Sequence, residues 1–511
     1  MEWMPLRSAA IEYLSEHWKA AILSVILLRV VGTIIHRRWL HPLAKFPGPF
    51  WGSITNLYSV QVNWSGKQYL IHHELHKKYG PIVRYRPNLL IVSDPTALPE
   101  IYHRYADKTP FYTQIIGDKT TFTSLPSTEH TISRKRISPA YAPAYVRSLE
   151  PKMDQWIVDW TELNRRVFLK SGPVKDFNNR LMYMAYDLLS DLTFGRPFGF
   201  MAKNGDVNEI IKGASVSRLM HHLLALVPSF LWLLRNTFLG YYILPRRYPD
   251  RGFGYLMAEA KRLTLSEEVN PPGGEKTPLR IMHDTKSTDG QTMGMERLAS
   301  EARILLIGGA EPAAAITIEF LLNVLAHPGA YQKILDEIAA AEAAGRLSSP
   351  VATYEECQNL TYFSTCFKET LRGAETTRGM MPRYAPKGGL TIAGQFVPEG
   401  THLSATPWVT HRTKSMYGED AEMFRPERWL EASPETLLQW NKYDFQFGYG
   451  ARVCPGKMMG LMVLYKQTLE ILRHFEIRKL KEDDPKAACF TRKLDDEVIR
   501  DTGLYIHALR K

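Results

Sequence analysis

The chain has 511 residues, 45% of them hydrophobic, and its 64 Lys and Arg outnumber its 53 Asp and Glu for a formal net charge of +11. Length and composition fit one large globular unit with additions. Four cysteines, Cys357, Cys366, Cys454 and Cys489, are too few and too unevenly placed for a disulfide framework, which points to a reducing compartment. No cysteine pair has zinc-ligand spacing, and no basic run carries the interleaved aromatics of a single-strand binder, so nucleic acid is not expected as a partner.

Residues 20–35 read AAILSVILLRVVGTII. As a helix this run spans about 24 Å, short of a hydrocarbon core of about 30 Å, so flanking residues complete the span. Ten of its residues are Leu, Ile or Val, worth roughly −3 to −6 kcal/mol on insertion against roughly +3 for Arg29 at the centre, and insertion wins. Trp18 and Trp39 stand where interfacial aromatics belong, and His36, Arg37 and Arg38 place positive charge on the side that faces the cytosol. A cleaved signal peptide is the competing reading, but its charge precedes the apolar run, and no small-residue cleavage site follows here. The boundaries expected are a short lumenal segment over 1–18, a transmembrane anchor over 19–38 and a rigid neck over 39–64, stiffened by Pro42, Pro47 and Pro49.

Helical periodicity dominates from about 65 to 380, as over 149–168 and 296–325. Strand-like pieces over 81–85, 89–92 and 390–396 predict a small accessory sheet. The stretch 219–244 is very apolar, yet His221, His222, Pro228, Arg235 and Asn236 argue against a second span. It reads as a helix pair whose loop dips into the bilayer surface.

The most informative segment is Phe447-Gly448-Tyr449-Gly450-Ala451-Arg452-Val453-Cys454-Pro455-Gly456, followed by an apolar-periodic run over 457–475. Glycines allow close backbone approach to a flat cofactor, and Pro455 suits the first position of the following helix. Cys454 then sits at a helix amino end, where the dipole and free backbone N–H groups favour the thiolate, the form that binds iron. Arg452 is placed to reach a haem propionate. Taken alone, the loop also fits a buried structural cysteine in a glycine-rich turn.

The loop does not stand alone. It resembles the haem-binding signature F-x-x-G-x-R-x-C-x-G of the cytochrome P-450 family, matched at Phe447, Gly450, Arg452, Cys454 and Gly456. Glu369-Thr370-Leu371-Arg372 is similar to the family's E-x-x-R, with both charges on one helix face. Phe424-Arg425-Pro426-Glu427-Arg428-Trp429 resembles its meander element. Together these imply a buried triad of Glu369, Arg372 and Arg428 that holds the haem-side core, at a cost of about 3–5 kcal/mol if broken. His130 with Arg134, and Arg383, resemble the family's propionate-binding positions. The motifs stand in the family's order between about 40 and 505, and the neck resembles the hinge of membrane-bound members, particularly fungal ones.

Along its oxygen-binding helix the family carries A/G-G-x-D/E-T-T/S, whereas this chain has Gly308-Gly309-Ala310-Glu311-Pro312-Ala313. Proline lacks the N–H and clashes with the carbonyl four residues back, that of Gly308, so a kink costing about 3 kcal/mol is expected, with that carbonyl left free. Pro312 supplies the groove but not the threonine hydroxyl that positions water. Proton delivery then falls to Glu311, a water chain or a hydroxyl on the substrate.

The resemblance therefore implies a mainly α, cytochrome P-450-like fold with a small accessory β-sheet, behind one N-terminal transmembrane helix, with 65–511 as the haem-thiolate catalytic domain. It implies a monooxygenase holding haem b through Cys454, with Phe447, Gly450, Arg452, Gly456, His130, Arg134 and Arg383 around the cofactor and Gly309 and Glu311 along the oxygen groove. No flavin or nicotinamide domain is recognisable, so NADPH electrons are expected from a separate flavoprotein reductase, whose acidic surface would suit the basic chain. The expected substrate is an apolar small molecule of terpenoid, alkaloid or polyketide type, in fungal secondary metabolism, with dioxygen as co-substrate. The expected place is the endoplasmic reticulum membrane, with the catalytic unit in the cytosol. Two rivals share the fold: an isomerase or dehydratase that needs no reductase, for which Pro312 is the motive, and a non-catalytic haem-binding sensor.

Overall fold

The computed structural model describes residues 4–116, 119–238, 250–266, 276–286, 290–374, 379–479 and 504–510; Cys489 lies outside them. The main helices are α1 (Met4–Ile35), α2 (Gln68–Tyr79), α3 (Ser127–Ile137), α4 (Glu150–Ser171), α5 (Phe177–Phe194), α6 (Ile210–Ala225), α7 (Gly252–Leu265), α8 (Met295–Ala326), α9 (Thr361–Gly373) and α10 (Lys457–His474). The architecture is mainly α with small sheets.

The amphipathic pattern explains α4. Met153, Ile157, Trp160 and Asn164 recur at helical spacing and are buried, Pro151 stands in the first turn, and Gly172 at φ +72° ends the helix. Burying Ile157 and Trp160 contributes about 1.5–3 kcal/mol each. The helix α8 packs against α5, α7, α9 and α10, so it is apolar on nearly all sides and forms the centre of the main core.

Helix α1 begins before the apolar run and continues through a π-helical turn, His36–Leu40. The run Trp18–Leu40, 23 residues, is long and apolar enough to cross a membrane, and its apolar stretch is not buried. Helix α8 also meets that length and composition, but 56% of its apolar stretch is buried, as suits a core helix.

Residues from the proline-rich neck pack on the sheet. Leu43 and Phe46 are buried with Ile82, Leu90 and Leu403, and the Arg84 N–H donates to the Pro47 carbonyl at 2.8 Å. Short helices Phe50–Ile54 and Leu57–Trp64 follow and bury Ile54 and Val62. The apolar residues between the prolines are thus buried against the sheet.

Strands β1 (Ile82–Arg86) and β2 (Leu89–Val92) pair antiparallel. Strand β2 then runs parallel to β6 (His402–Ser404), which pairs antiparallel with β3 (Arg383–Tyr384). The piece read as one strand over 390–396 is a hairpin: β4 (Leu390–Ile392) and β5 (Gln395–Val397) flank Ala393 and Gly394 at φ +45° and +74°, the two-residue turn that matches strand twist. A further pair, β7 (Phe475–Lys479) and β8 (Leu504–Leu509), closes the carboxyl end. In the apolar stretch 219–244, α6 is followed by the helix Pro228–Arg235, and residues 239–244 lie outside the described residues.

Candidate active site

The loop before α10 is closed by the Cys454 N–H, which donates to the Phe447 carbonyl at 2.7 Å. Helix α10 starts at Lys457 with Gly456 as its N-cap, so Pro455 stands in the turn ahead of the helix and not at its first position. Gly450, at φ +64°, would with a Cβ come 2.4 Å from the Tyr102 carbonyl oxygen. Its glycine is required by that turn and that backbone neighbour, a nearer cause than approach to a cofactor.

Cys454 is exposed, whereas Cys357 and Cys366 are buried. Burial nonetheless pushes the Cys454 thiol up, against the Gly456 N–H, Arg134 and Lys457, which pull it down. An accessible sulfur in dense surroundings is a group at the foot of a cleft. Desolvation outweighs those three influences, and a coordinated metal ion deprotonates such a thiol.

Four cations gather beside it. Arg134 on α3 donates to the Val453 carbonyl at 3.0 Å. Arg452 donates through Nη1 and Nη2 to the carbonyls of Ser124 and Leu125 at 2.7 and 2.8 Å. Arg383 on β3 is buried and donates to the Tyr112 hydroxyl at 2.6 Å. The fourth is Lys108, which the sequence reading missed: it is buried, donates to the Phe122 carbonyl and lies 4.1 Å from the ring centroids of both Tyr112 and Phe122. A single loop lysine carries no motif; its β-bridge to Arg383 and its N–H bond to the Leu125 carbonyl bring it here.

Burial, then Arg383 and Arg452, push the Lys108 ammonium well below its ordinary pKa. His130 on α3 is buried, and its pKa is lowered to about 3 by burial and then by Arg452, Lys108, Arg134 and Arg383. It is therefore a neutral imidazole among four cations. Their acceptors are carbonyls and one phenol, and among the described residues none of the four forms an ion pair. Lys108 and Arg383 are buried like charges, unfavourable until an anion joins them, while Arg452 also feels the carboxylates of Asp107 and Glu129. Anion-seeking cations beside an accessible metal-binding thiol fit haem b, which brings two carboxylates and an iron.

Helix α8 interrupts its burial with an accessible stripe at helical spacing, Ile304, Ile307, Gly308, Glu311, Pro312 and Ala315, beside buried Leu305, Leu306, Ala310 and Ala314. Gly309 is partly accessible as well; a Cβ there would meet Leu189 Cδ1 of α5 at 2.7 Å, whereas Gly308 has open space beside it. The helix continues through Pro312, whose missing N–H leaves the Gly308 carbonyl without its intrahelical donor.

Glu369 and Arg372 on α9 meet as a fork, Arg372 Nε to Oε2 at 2.9 Å and Nη2 to Oε1 at 2.7 Å. Arg428 Nε donates to Oε1 at 3.1 Å and the Trp429 indole to Oε2 at 2.9 Å. All three charged residues are buried, and the arginine hydrogens left over go to carbonyls of His411, Ala421, Met423, Tyr417 and Asp420 and, from Arg428, to the Asp420 carboxylate at 3.0 Å. The Glu369 carboxyl is held below its ordinary pKa although desolvation opposes it, because both arginines favour the charged form.

A mainly α fold with an accessible cysteine before α10 and a buried Glu-Arg-Arg network defines the class. The Cytochrome P450 family model matches residues 42–494, and the chain belongs to that family. It is a cytochrome P450 monooxygenase, an oxidoreductase of a family built on haem iron. Quiannulatic acid synthase of Emericella variicolor is 30% identical over 447 residues, covering 84% of this chain and 87% of the relative. Cytochrome P450 monooxygenase ustC of Aspergillus flavus is 31% identical over 441 residues, covering 86% and 79%. Cytochrome P450 monooxygenase cicH of Emericella nidulans is 29% identical over 450 residues, covering 85% and 88%.

Proposed function

We propose that the chain inserts one oxygen atom of dioxygen into an apolar small molecule of fungal secondary metabolism, of terpenoid, alkaloid or polyketide type. The observation that carries the reading is the set of four cations around neutral His130, next to the accessible Cys454 sulfur. Cys454 would ligate the iron, and Arg134, Arg383, Arg452 and Lys108, with His130 as a hydrogen-bonding partner, would hold the propionates. Bound there, haem b supplies dioxygen activation, with two electrons that we assign to NADPH through a separate flavoprotein reductase. Glu369, Arg372 and Arg428 hold the core on the haem side. The stripe on α8 offers Ile304 and Ile307 as apolar substrate contacts and the Glu311 carboxylate as a group that can hold and pass a proton.

The membrane reading rests on the same kind of argument. The run Trp18–Leu40 anchors the chain, and Trp51, Leu57, Trp64, Phe230 and Trp232 are exposed on the short helices that follow the anchor and on Pro228–Arg235. These segments are tied together by His222 Nε2 to Asn63 Oδ1 at 2.7 Å and by Arg86 to the Leu226 carbonyl at 3.0 Å. Apolar surface gathered beside an anchor suits a bilayer surface. We place it at the endoplasmic reticulum with the catalytic unit in the cytosol.

Reduced protein under carbon monoxide should show the red-shifted Soret band of a thiolate-ligated haem, and Cys454→Ala should abolish it. An unchanged band in that variant rejects the ligand. Pro312 in α8 favours one second reading, a rearrangement that needs no reductase; product formation without NADPH and reductase would select it.

A further inference from the structure

Residues 120–125 form a strap held from three residues outside it. Lys108 donates through its ammonium to the Phe122 carbonyl and through its backbone N–H to the Leu125 carbonyl at 3.0 Å, and Arg452 donates to the carbonyls of Ser124 and Leu125. The third fixing comes from α8: Glu301 Oε1 accepts the Thr121 N–H at 2.6 Å and the Thr121 hydroxyl at 2.9 Å. The strap also braces itself, with the Thr120 N–H donating to Thr123 Oγ1 at 2.8 Å and the Ser124 hydroxyl to the Thr120 carbonyl at 3.0 Å. Thr120, Thr121, Thr123 and Ser124 are all buried.

Glu301 is itself built in. It is 5% exposed, and the same Oε1 accepts from Arg297 Nε at 3.0 Å, while Arg297 Nη2 reaches Ser133 of α3 at 3.1 Å. A carboxylate is an unfavourable thing to bury, and hydrogen bonds to backbone and hydroxyl donors offset that only in one geometry. Glu301 stands about two helical turns before Gly308 and matches none of the motifs read from the sequence.

We propose that Glu301 is a positioning residue: it seats the strap 120–125 on α8 and thereby holds Lys108 and Arg452, the two cations that grip the strap's carbonyls, in place for the carboxylates of the cofactor. The proposal rests on the haem reading given above. Lys108 has two further ammonium hydrogens beyond the one given to Phe122, and Arg452 has its Nε–H. Each can therefore bridge strap and anion. The clasp from α8 does not depend on the anion, so it keeps the strap registered while the cofactor enters or leaves.

The experiment compares the full-length holoprotein with Glu301→Gln, Glu301→Leu and Thr121→Val in two measurements. One is amide hydrogen exchange over 120–125; the other is the rate of haem loss to excess apomyoglobin. Glu301→Leu should speed both by about tenfold, the loss of one or two hydrogen bonds to a charged acceptor. Glu301→Gln retains an acceptor oxygen and should stay within about twofold of the parent, and Thr121→Val, which keeps its N–H, should fall between. Unchanged exchange in Glu301→Leu and in Thr121→Val overturns the proposal. So does Glu301→Gln behaving like Glu301→Leu, since the pair with Arg297 would then be what matters. If Glu301→Leu does not fold, exchange unchanged in Thr121→Val, or sped about tenfold in Glu301→Gln, overturns the proposal. Absence of any thiolate-ligated haem in the parent protein would instead reject the haem reading, with the exchange result still reporting on the clasp.

Discussion

Lys108 and Arg383 are partners in an antiparallel β-bridge, so two buried cations leave the backbone next to each other. Replacing Lys108 by Met removes one of them while keeping its apolar stem. The apoprotein should then melt higher, because the repulsion is relieved. The holoprotein should lose haem about tenfold faster, equivalent to about 1.4 kcal/mol. Melting of the apoprotein and haem transfer to apomyoglobin read the two effects, and a lower apoprotein melting point would show that the lysine serves the fold instead.

Arg428 gives one nitrogen to Glu369 and the others to Asp420, Tyr417 and Met423. Arg428→Ala leaves the Glu369 charge buried with one partner fewer, a loss of about 3–5 kcal/mol. Arg428→Lys lacks the fork and should recover only part of it. The yield of haem-loaded protein and its denaturant midpoint should fall in that order, and a full rescue by lysine would show that charge alone suffices.

His72 on α2 is almost fully buried and packs edge-on to Tyr85 at 4.5 Å between ring centroids. Burial, then His76, lower its pKa from 6.5 to about 3. Between those values the unfolded chain takes up a proton that the folded protein refuses. His72 therefore contributes no pH-dependent penalty above pH 6.5, and stability falls as the pH drops from 6.5 toward 3, by about 2 kcal/mol at pH 5 from this residue alone. His72→Phe should flatten that part of the stability profile; an unaltered slope would reject the assignment.

Pro312 sets two mechanisms against each other. If the missing hydroxyl limits proton delivery, Pro312→Thr should raise product per NADPH and lower hydrogen peroxide release, by about tenfold in the ratio for a hydroxyl of ordinary hydrogen-bonding strength. If proline instead shapes the groove for its substrate, the same change restores the helical N–H to Gly308 and lowers turnover without improving the ratio. Identical rates and ratios would make position 312 neutral.

Two sequons lie beyond the anchor, and only one reports topology. Asn63 is buried, with Nδ2 bonded to the Ser59 carbonyl and Oδ1 to His222, whereas Asn359 is exposed at the end of the short helix Tyr354–Asn359. Expressed in a eukaryotic host, Asn359 should carry no glycan if the catalytic unit faces the cytosol. A glycan there reverses the assigned orientation.

The sequence by itself determined the family, the cysteine and the helical bulk, because each is written in residues close together along the chain. The loop 447–456 and the Glu369–Arg372 pair are local, and a helix such as α4 announces its buried face every three or four residues. What only the tertiary structure decided depends on segments distant in the chain. The parallel pairing of β2 with β6 and the burial of Leu43 and Phe46 against the sheet follow from contacts that no window of sequence contains. Gly309 and Gly308 look alike in sequence, and only the position of Leu189 on α5 gives one of them a close neighbour that the other lacks. Lys108 and Glu301 had no signal at all, since a buried charge acquires its role from the partners that surround it, here Arg383 in one case and Thr121 in the other.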